Sequence, residues 1–343
     1  MKKIYYITAV FATLFLVGCG DGIDLPGVNV ETDLNKIPLP DNNVNLEQVE
    51  LKPSTEPMLH EGLHTEEDFQ RIRDKKAAGE EPWVSAYQLL VESQFSQKTA
   101  DTYPTEWIKR GVSGDENYMN AARGATIAYQ QALRWKIEQD DEYAAKAVEN
   151  LNKWVQTCVG VTGNTNLSLA AGLYGYEFAI AGELLRDYGG WDRADFAAFQ
   201  NWLLKVFYPA NDDFLKRHHD TNALHYWANW CLCNIAAKMA IGIVTDRRDI
   251  YNEGIAHLQT GDTNGRLRRA IYHDYAPDYN FAQWQESGRD QGHTLMCVGL
   301  MGVICQLAWS QGDDFFAYDD NLFLRACEYA ACCNYTNETV PYT

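Results

Sequence analysis

Four times along this chain an almost wholly apolar helical segment is followed by an amphipathic one. The pairs are 115–140 with 141–159, 167–188 with 192–208, 221–244 with 247–261, and 291–312 with 321–334. A helix that is apolar all round is buried, and one with a polar face lies outside. The alternation therefore describes hairpins of one inner and one outer helix. Hairpins recurring at roughly forty to sixty residues form a toroid or a solenoid. There is no repeat of fixed length, which favours a ring over an open stack. The expected fold is all-α, a complete or incomplete (α/α) toroid with long loops over a central cleft.

The rest of the chain divides around that block. Residues 20–55 contain prolines, Asn and Asp without a sustained period and read as a flexible tether. Residues 56–343 are read as one domain. Hydrophobic residues make up 46% of the 343, enough for a large core, and the net charge of −18 argues against binding to nucleic acid. An acidic ligand remains compatible with that charge, because a local basic cleft can sit in an acidic protein.

The N-terminus reads as an export signal. Lys2 and Lys3 precede an apolar run, Ile4 to Val17, that is short for a membrane span. The run ends in Leu16-Val17-Gly18-Cys19, which resembles a bacterial lipoprotein cleavage box, with residues 1–19 as the signal peptide. The resemblance implies lipidation of Cys19, anchorage to a membrane by that lipid only, and a place in the periplasm or at the outer membrane or cell surface. An ordinary secretion signal is the competing reading, and export follows from both. Eight further cysteines stand mostly in apolar helical context and are expected as buried free thiols, with one or two disulfides left open. Cys231 and Cys233 are too closely spaced for a usual zinc site. No metal and no cofactor is expected.

Two inner segments carry polar stripes. Asn222, His225 and Asn229 stand at i, i+3 and i+7, and so do Glu286, Arg289 and His293. Unpartnered polar groups are costly to bury, so each stripe faces a network or a cleft. Parallel inner helices would gather these N-terminal ends at one mouth, where helix termini favour anions. Between the stripes, Arg266, Arg268 and Arg269 precede Tyr272, His273 and Tyr275. These arginines form either a solvated basic turn or a wall for a carboxylate that also lowers the phenol pKa of the tyrosines. Trp227, Trp230, Tyr279 and above all Trp284 are candidates to stack on sugars.

Such groups suit β-elimination on a uronate polymer. The carboxylate beside the C5 proton must be neutralised, a Tyr or His must take the proton, and a Tyr must protonate the leaving oxygen. "TNALHYWANW" followed by "RLRRAIYHDYAPD" resembles the polysaccharide lyases of the alginate-lyase type, and "ESGRDQGH" resembles their gut Bacteroides branch, polysaccharide lyase family 38. The resemblance runs from about residue 56 to the end. It implies an α/α toroid acting on an acidic polysaccharide such as alginate or glucuronan. It further implies Asn222 as neutraliser, Tyr272 as acid and in some schemes base, and Arg266 as its neighbour. Leu224 stands where the pattern has His, so His225 and His219 both remain candidates for the base. Arg268 and Arg269 remain alternatives to Arg266. Glu286, Arg289 and His293 are either substrate contacts, with Glu286 protonated, or a structural network.

Two other readings stay open on the residues. A hydrolase would need a carboxylate pair, which Asp220, Asp274, Asp278 and Glu286 could supply. A non-catalytic glycan-binding lipoprotein would explain the leader and the aromatics. Family members usually run further past the last helix, so a C-terminally truncated toroid is a further expectation.

Overall fold

The computed structural model describes residues 49–335 and 339–343. The leader, Cys19 and most of the segment read as a tether lie outside the described residues. The chain forms two compact units. One holds 52–214 and 233–254; the other holds 215–232 and 255–343 together with 49–51.

The first unit contains α1 (Glu66–Ala77), α2 (Trp83–Glu92), β1 (Trp107–Arg110), α3 (Tyr118–Glu138), α4 (Asp141–Thr157), β2 (Gly160–Gly163), α5 (Leu167–Leu184) and α6 (Arg193–Val206). It also holds most of α7 (Tyr208–Arg217), all but the start of α8 (Ala228–Val244) and the start of α9 (Arg248–Thr260). Strands β1 and β2 form a short parallel pair. The expected hairpins form. Helix α3 stops at Gln139, whose left-handed backbone (φ +58°) ends the turn, and Asp140 caps α4 by accepting the Glu142 amide at 3.0 Å. Helix α5 is the inner type, with every residue buried except Leu167 and Glu177. Helix α4 is the outer type and buries one face, including Tyr143, Ala147, Leu151 and Trp154.

Aromatic rings from three helices make the core of this unit. Phe178 lies 5.3 Å from Trp154, 5.2 Å from Trp202 and 5.9 Å from Phe207, ring centre to ring centre. Trp154 also donates to the Thr102 carbonyl at 2.9 Å, which satisfies its buried indole N–H. Helices α5 and α8 meet at Gly172, where a Cβ would sit 2.5 Å from the Cys233 sulfur and 3.0 Å from the Asn234 amide nitrogen.

The second unit continues after α9 with α10 (Leu267–Ala270), β3 (Ile271–Asp274), β4 (Ala282–Trp284), α11 (Gln291–Ser310) and α12 (Tyr318–Tyr335). The long loop expected between the third and fourth hairpins is thus partly ordered into an antiparallel β3–β4 pair. Two sequence expectations are corrected here. The third inner helix does not begin at Thr221. His218, His219 and Asp220 adopt positive φ, which interrupts the helix, and 221–227 form a loop ahead of α8. Asn222 and His225 are therefore loop residues, not part of a helical stripe with Asn229. Likewise Glu286 lies in a 3-10 turn, Gln285–Gly288, while α11 starts only at Gln291, so Glu286, Arg289 and His293 do not share one helix.

The start of α8 is capped from outside. Gln285 Oε1 accepts the Ala228 amide at 2.9 Å, and Glu286 Oε1 accepts the Asn229 amide at 3.1 Å. Glu286 is fully buried. Both of its oxygens accept from Asn229 Nδ2 at 2.8 Å, and Arg289 donates to Oε2 at 3.1 Å. Cys297 Sγ donates to Oε1 at 3.3 Å. A carboxylate at a helix N-terminus is favoured by the exposed amides and the helix dipole. All eight cysteines among the described residues are free thiols, six of them buried and two, Cys327 and Cys333, half-buried. The last residues of the segment read as a tether are fastened: Val49 accepts from Gln259 at 3.0 Å and Lys52 from Asn252 at 2.7 Å.

Two stability predictions follow from this packing. Gly172→Ala should lower the unfolding free energy by about 1–3 kcal/mol, because the added methyl meets backbone as well as sulfur; urea denaturation would read it. Glu286→Ala should cost more, about 3–5 kcal/mol, since it leaves the Asn229 amide and side chain unpaired in the interior and removes the carboxylate that Arg289 donates to. Equal midpoints for wild type and Glu286→Ala would disprove the capping role.

Candidate active site

The loop 221–227 is held by three connections, all inside the second unit. Asn222 Oδ1 accepts the Leu224 amide at 2.8 Å, which folds the loop on itself. Asn264, nearly buried, donates to the carbonyls of Leu224 at 3.0 Å and Tyr226 at 2.9 Å. The far end of the loop enters α8 at the Gln285–Glu286 cap. Asn264 is two residues from Arg266, α10 runs directly into β3, β4 pairs with β3, and Gln285 follows β4. The circuit closes on the loop where it began. It brings together the two stretches that carried the sequence motifs.

Hydrogen bonding then sorts the candidates. Arg268 forms ion pairs with Asp319 and, at 3.6 Å, with Asp274. Arg269 donates to the Asp262 carbonyl. Arg266 stands at the N-cap of α10 and is half-buried, and its guanidinium makes no hydrogen bond or ion pair among the described residues. It is the arginine of the three with a guanidinium to spare. Asn222 is exposed, and with Oδ1 engaged its amide NH2 is unbonded among the described residues. His225 is half-buried, its ring 4.8 Å from that of Tyr226, and its nitrogens have no hydrogen-bond partner among the described residues. His219 lies against the same tyrosine at 5.7 Å. Beside them His218 is buried and touches Cys231 Sγ at 3.5 Å; burial first, and then His257, His219 and His225, lower its pKa to about 4. It stays neutral.

Tyr272 sits at an irregularity in the β3–β4 register, between the pairs Ile271–Trp284 and His273–Gln283. A bulge adds a residue to one strand and re-aims its side chain. Gln283 Nε2 donates to the Tyr272 hydroxyl at 2.8 Å, Gln283 Oε1 accepts from Tyr275, and the Tyr272 hydroxyl donates to the Thr343 carbonyl. The expected lowering of the phenol pKa by arginine is not found. Burial, then the neighbouring Tyr275 and Tyr342 hydroxyls, push Tyr272 up to about 12. The end of β3 is clamped by Asp274, which accepts from Arg325 at 2.9 Å and is held below the usual carboxylate range by its Arg325 hydrogen bond despite its burial.

Two predicted contacts are withdrawn from the solvent. Trp284 is fully buried, with its indole bonded to the Ala326 carbonyl at 3.0 Å, so it is core and not a sugar platform. Glu286 has its oxygens taken by Asn229, Arg289 and Cys297, so it is an internal cap and not a uronate contact. Arg289 is tied to Glu286, with its guanidinium 5.6 Å from the Trp227 ring, and His293 Nδ1 is 2.6 Å from Asp290. Sequence reasoning missed Asn264, Gln283, Gln285 and the Asp274–Arg325 clamp. The alternation Ala282-Gln283-Trp284-Gln285 was the available signal: a period of two marks a strand with polar and apolar faces.

A family profile described as alginate lyase matches residues 72–338. No curated protein sequence matches the chain. Among solved structures the chain is similar to alginate lyase A1-III from Sphingomonas species A1, with a TM-score of 0.55 and 13% identity over 81% of this chain and 80% of that one. It is also similar to two tetrasaccharide complexes of alginate lyase A1-III. One, with a Tyr-to-Phe substitution, gives TM-score 0.57 and 13% identity over 82% and 81% of the two chains. The other, with a His-to-Ala substitution, gives 0.56 and 14% over 83% and 82%. The likeness shows the all-α, (α/α)-toroid fold expected from the helical hairpins. By the profile match the chain belongs to the alginate lyase family and is a polysaccharide lyase.

Proposed function

We propose that this lyase cleaves a uronate polymer, alginate or its polymannuronate blocks before glucuronan, by β-elimination at the 222–226 loop and Tyr272. The observation that carries this reading is the distribution of free donors. Asn222 and Arg266 keep unbonded N–H groups while Arg268, Arg269 and Arg289 are committed elsewhere. Asn222 and Arg266 would bind the uronate carboxylate and make the C5 proton more acidic. His225, with free ring nitrogens, would take that proton. Tyr272 would give its proton to the leaving glycosidic oxygen, for which a phenol held neutral is suited. His219, Arg268, Arg269, Arg289 and His293 would support the site as neighbours. The tetrasaccharide bound by alginate lyase A1-III supports alginate as the polymer to try first.

A hydrolase would need a free pair of carboxylates. Asp274 is bound to Arg325 and Arg268, and Glu286 is sealed in its cap, which withdraws two of the four carboxylates that reading had to draw on. Export and a lipid at Cys19 complete the proposal. They are supported by Lys2, Lys3, the apolar run and the Leu16–Cys19 box.

The test is a screen of alginate, polymannuronate, polyguluronate, glucuronan and glycosaminoglycans for the ultraviolet absorbance of an unsaturated uronate product. One polymer should give a rise. Tyr272→Phe should then reduce kcat by about 10²–10⁴-fold, the usual range for a lost acid–base group. Asn222→Ala should cost about 10²–10³-fold. With its pKa raised to about 12, Tyr272 keeps its proton across neutral and mildly alkaline pH, and its acid function is lost only as pH rises through that value. A pH–rate profile whose alkaline limb near neutrality vanishes in Tyr272→Phe would contradict this assignment. Absence of elimination with every polymer would overturn the reading as a whole.

A further inference from the structure

The first unit contains polar groups that the elimination chemistry does not use. From Ala121 to Ala132, α3 is buried except for Arg123, Thr126 and Tyr129, which stand three residues apart. Between Ser168 and Leu184, α5 is buried except for Glu177. Within these two otherwise buried stretches the inner helices open at these positions. Thr126 is satisfied by its own helix, donating to the Ala122 carbonyl at 2.8 Å. Arg123 has no carboxylate partner among the described residues; it donates to Asn120 Oδ1 at 3.3 Å and lies 5.6 Å from the ring of Tyr103. Tyr103 is 37% exposed and held in a left-handed backbone, φ +53°. The Tyr129 hydroxyl is 2.6 Å from His64 Nε2, and Glu177 Oε2 is buried without a partner among the described residues.

We propose that Arg123, Tyr129 and Glu177, with His64 behind Tyr129 and Tyr103 beside Arg123, form a second binding site for an acidic glycan. Arg123 pairs there with one uronate carboxylate, and the Glu177 carboxyl donates a hydrogen bond to another. The inference rests on the reading of the substrate as a uronate polymer. An unpaired, half-buried arginine in a chain of net charge −18 is a group waiting for an anion. Arg123 and Tyr129 are six residues apart, about 9 Å of helix, so they meet different sugar residues. Exposed Tyr103 can stack on a sugar ring.

The electrostatics agree with a neutral donor at the deep end. Burial pushes Glu177 up to about 8, against Tyr176, which draws it down. Burial lowers His64 to about 4, although Asp68 pulls the other way. Tyr129 and Tyr176 are both raised by burial, and Tyr174 and Cys233 are the other titratable neighbours of Tyr176. Burial thus favours the neutral forms of Glu177, His64, Tyr129 and Tyr176, while Arg123 and, beside His64, Asp68 carry charge. A folded-state carboxyl raised above its unfolded value binds more protons than the unfolded chain, so stability falls as pH rises from the unfolded value towards about 8. A residue that costs stability in this way is characteristic of a working site.

The test is calorimetric binding of a mannuronate tetrasaccharide to the Tyr272→Phe protein, with the same sugar reduced at its carboxyls as control. Arg123→Ala should weaken binding about tenfold or more at all pH values, the scale of a lost charge-assisted hydrogen bond. Binding to the parent should weaken as pH rises through about 8, where Glu177 ionises and repels the uronate. Glu177→Gln, a neutral donor of the same shape, should bind as tightly at neutral pH and lose that pH dependence. Circular dichroism would show each variant folded. Equal affinity in Arg123→Ala and the parent, an unchanged pH dependence in Glu177→Gln, or equal binding of the reduced sugar overturns the inference. Elimination is scored separately on the wild-type protein, so a failure here leaves the lyase reading standing, and the reverse.

Discussion

The arrangement of the second unit depends on one buried carboxylate. Glu286 has no solvent and no freedom: two bonds from Asn229 Nδ2, one from the Asn229 amide and one from Arg289 account for its oxygens, with the Cys297 thiol beside them. A charge in the interior is tolerated only when so fully paired. Here the pairing also sets where a helix begins. Because Glu286 and Gln285 take the first amides of α8, the chain before Ala228 need not be helical. It is released as a loop that presents Asn222 and His225. The interaction that looks like part of the site is instead what gives the site its shape.

The large-scale fold was legible because it depends on apolar periodicity. Inner helices such as α5 bury every side, outer ones such as α4 bury one, and the sequence carries that difference residue by residue. The helix starts were less legible. Asn222, His225 and Asn229 have helical spacing, yet three consecutive left-handed residues, His218 to Asp220, stop the helix ahead of them. None of the three is glycine, so composition did not announce the break. Trp284 was misread for a related reason. In a stretch rich in Asp, Tyr and Arg a tryptophan looks exposed, but the two glutamines flanking it mark a strand whose other face is core.

Within the site, sequence could name residue types but not which members were occupied. Three arginines within four positions are equivalent on paper. The partners decide among them, and those partners are distant in sequence: Asp319 for Arg268, and the Asp262 carbonyl for Arg269. Arg266 is distinguished by what it lacks. The same logic separates Asn222, with a free amide, from Asn229, whose amide is spent on Glu286.

The pKa of Tyr272 constrains how elimination can be divided. A phenol raised to about 12 keeps its proton, so it is a weak base at neutral pH and a ready donor to a leaving oxygen as negative charge develops there. No arginine offsets its burial, and Tyr275 and Tyr342 add to it, while Arg268 is paired with Asp319 and Asp274. On the proposed chemistry the proton at C5 therefore calls for a different acceptor. Among the loop residues, His225 has the ring nitrogens to serve, while neighbouring His218 is kept neutral and bonded to Cys231 in the interior. Separating acid from base in this way avoids asking one hydroxyl to lose and regain a proton within a single step. The ties between loop and strand suit the proposed division: Asn264 and the Glu286 cap fix the loop proposed to carry the base on the segments that lead into and out of the β3–β4 pair that holds Tyr272.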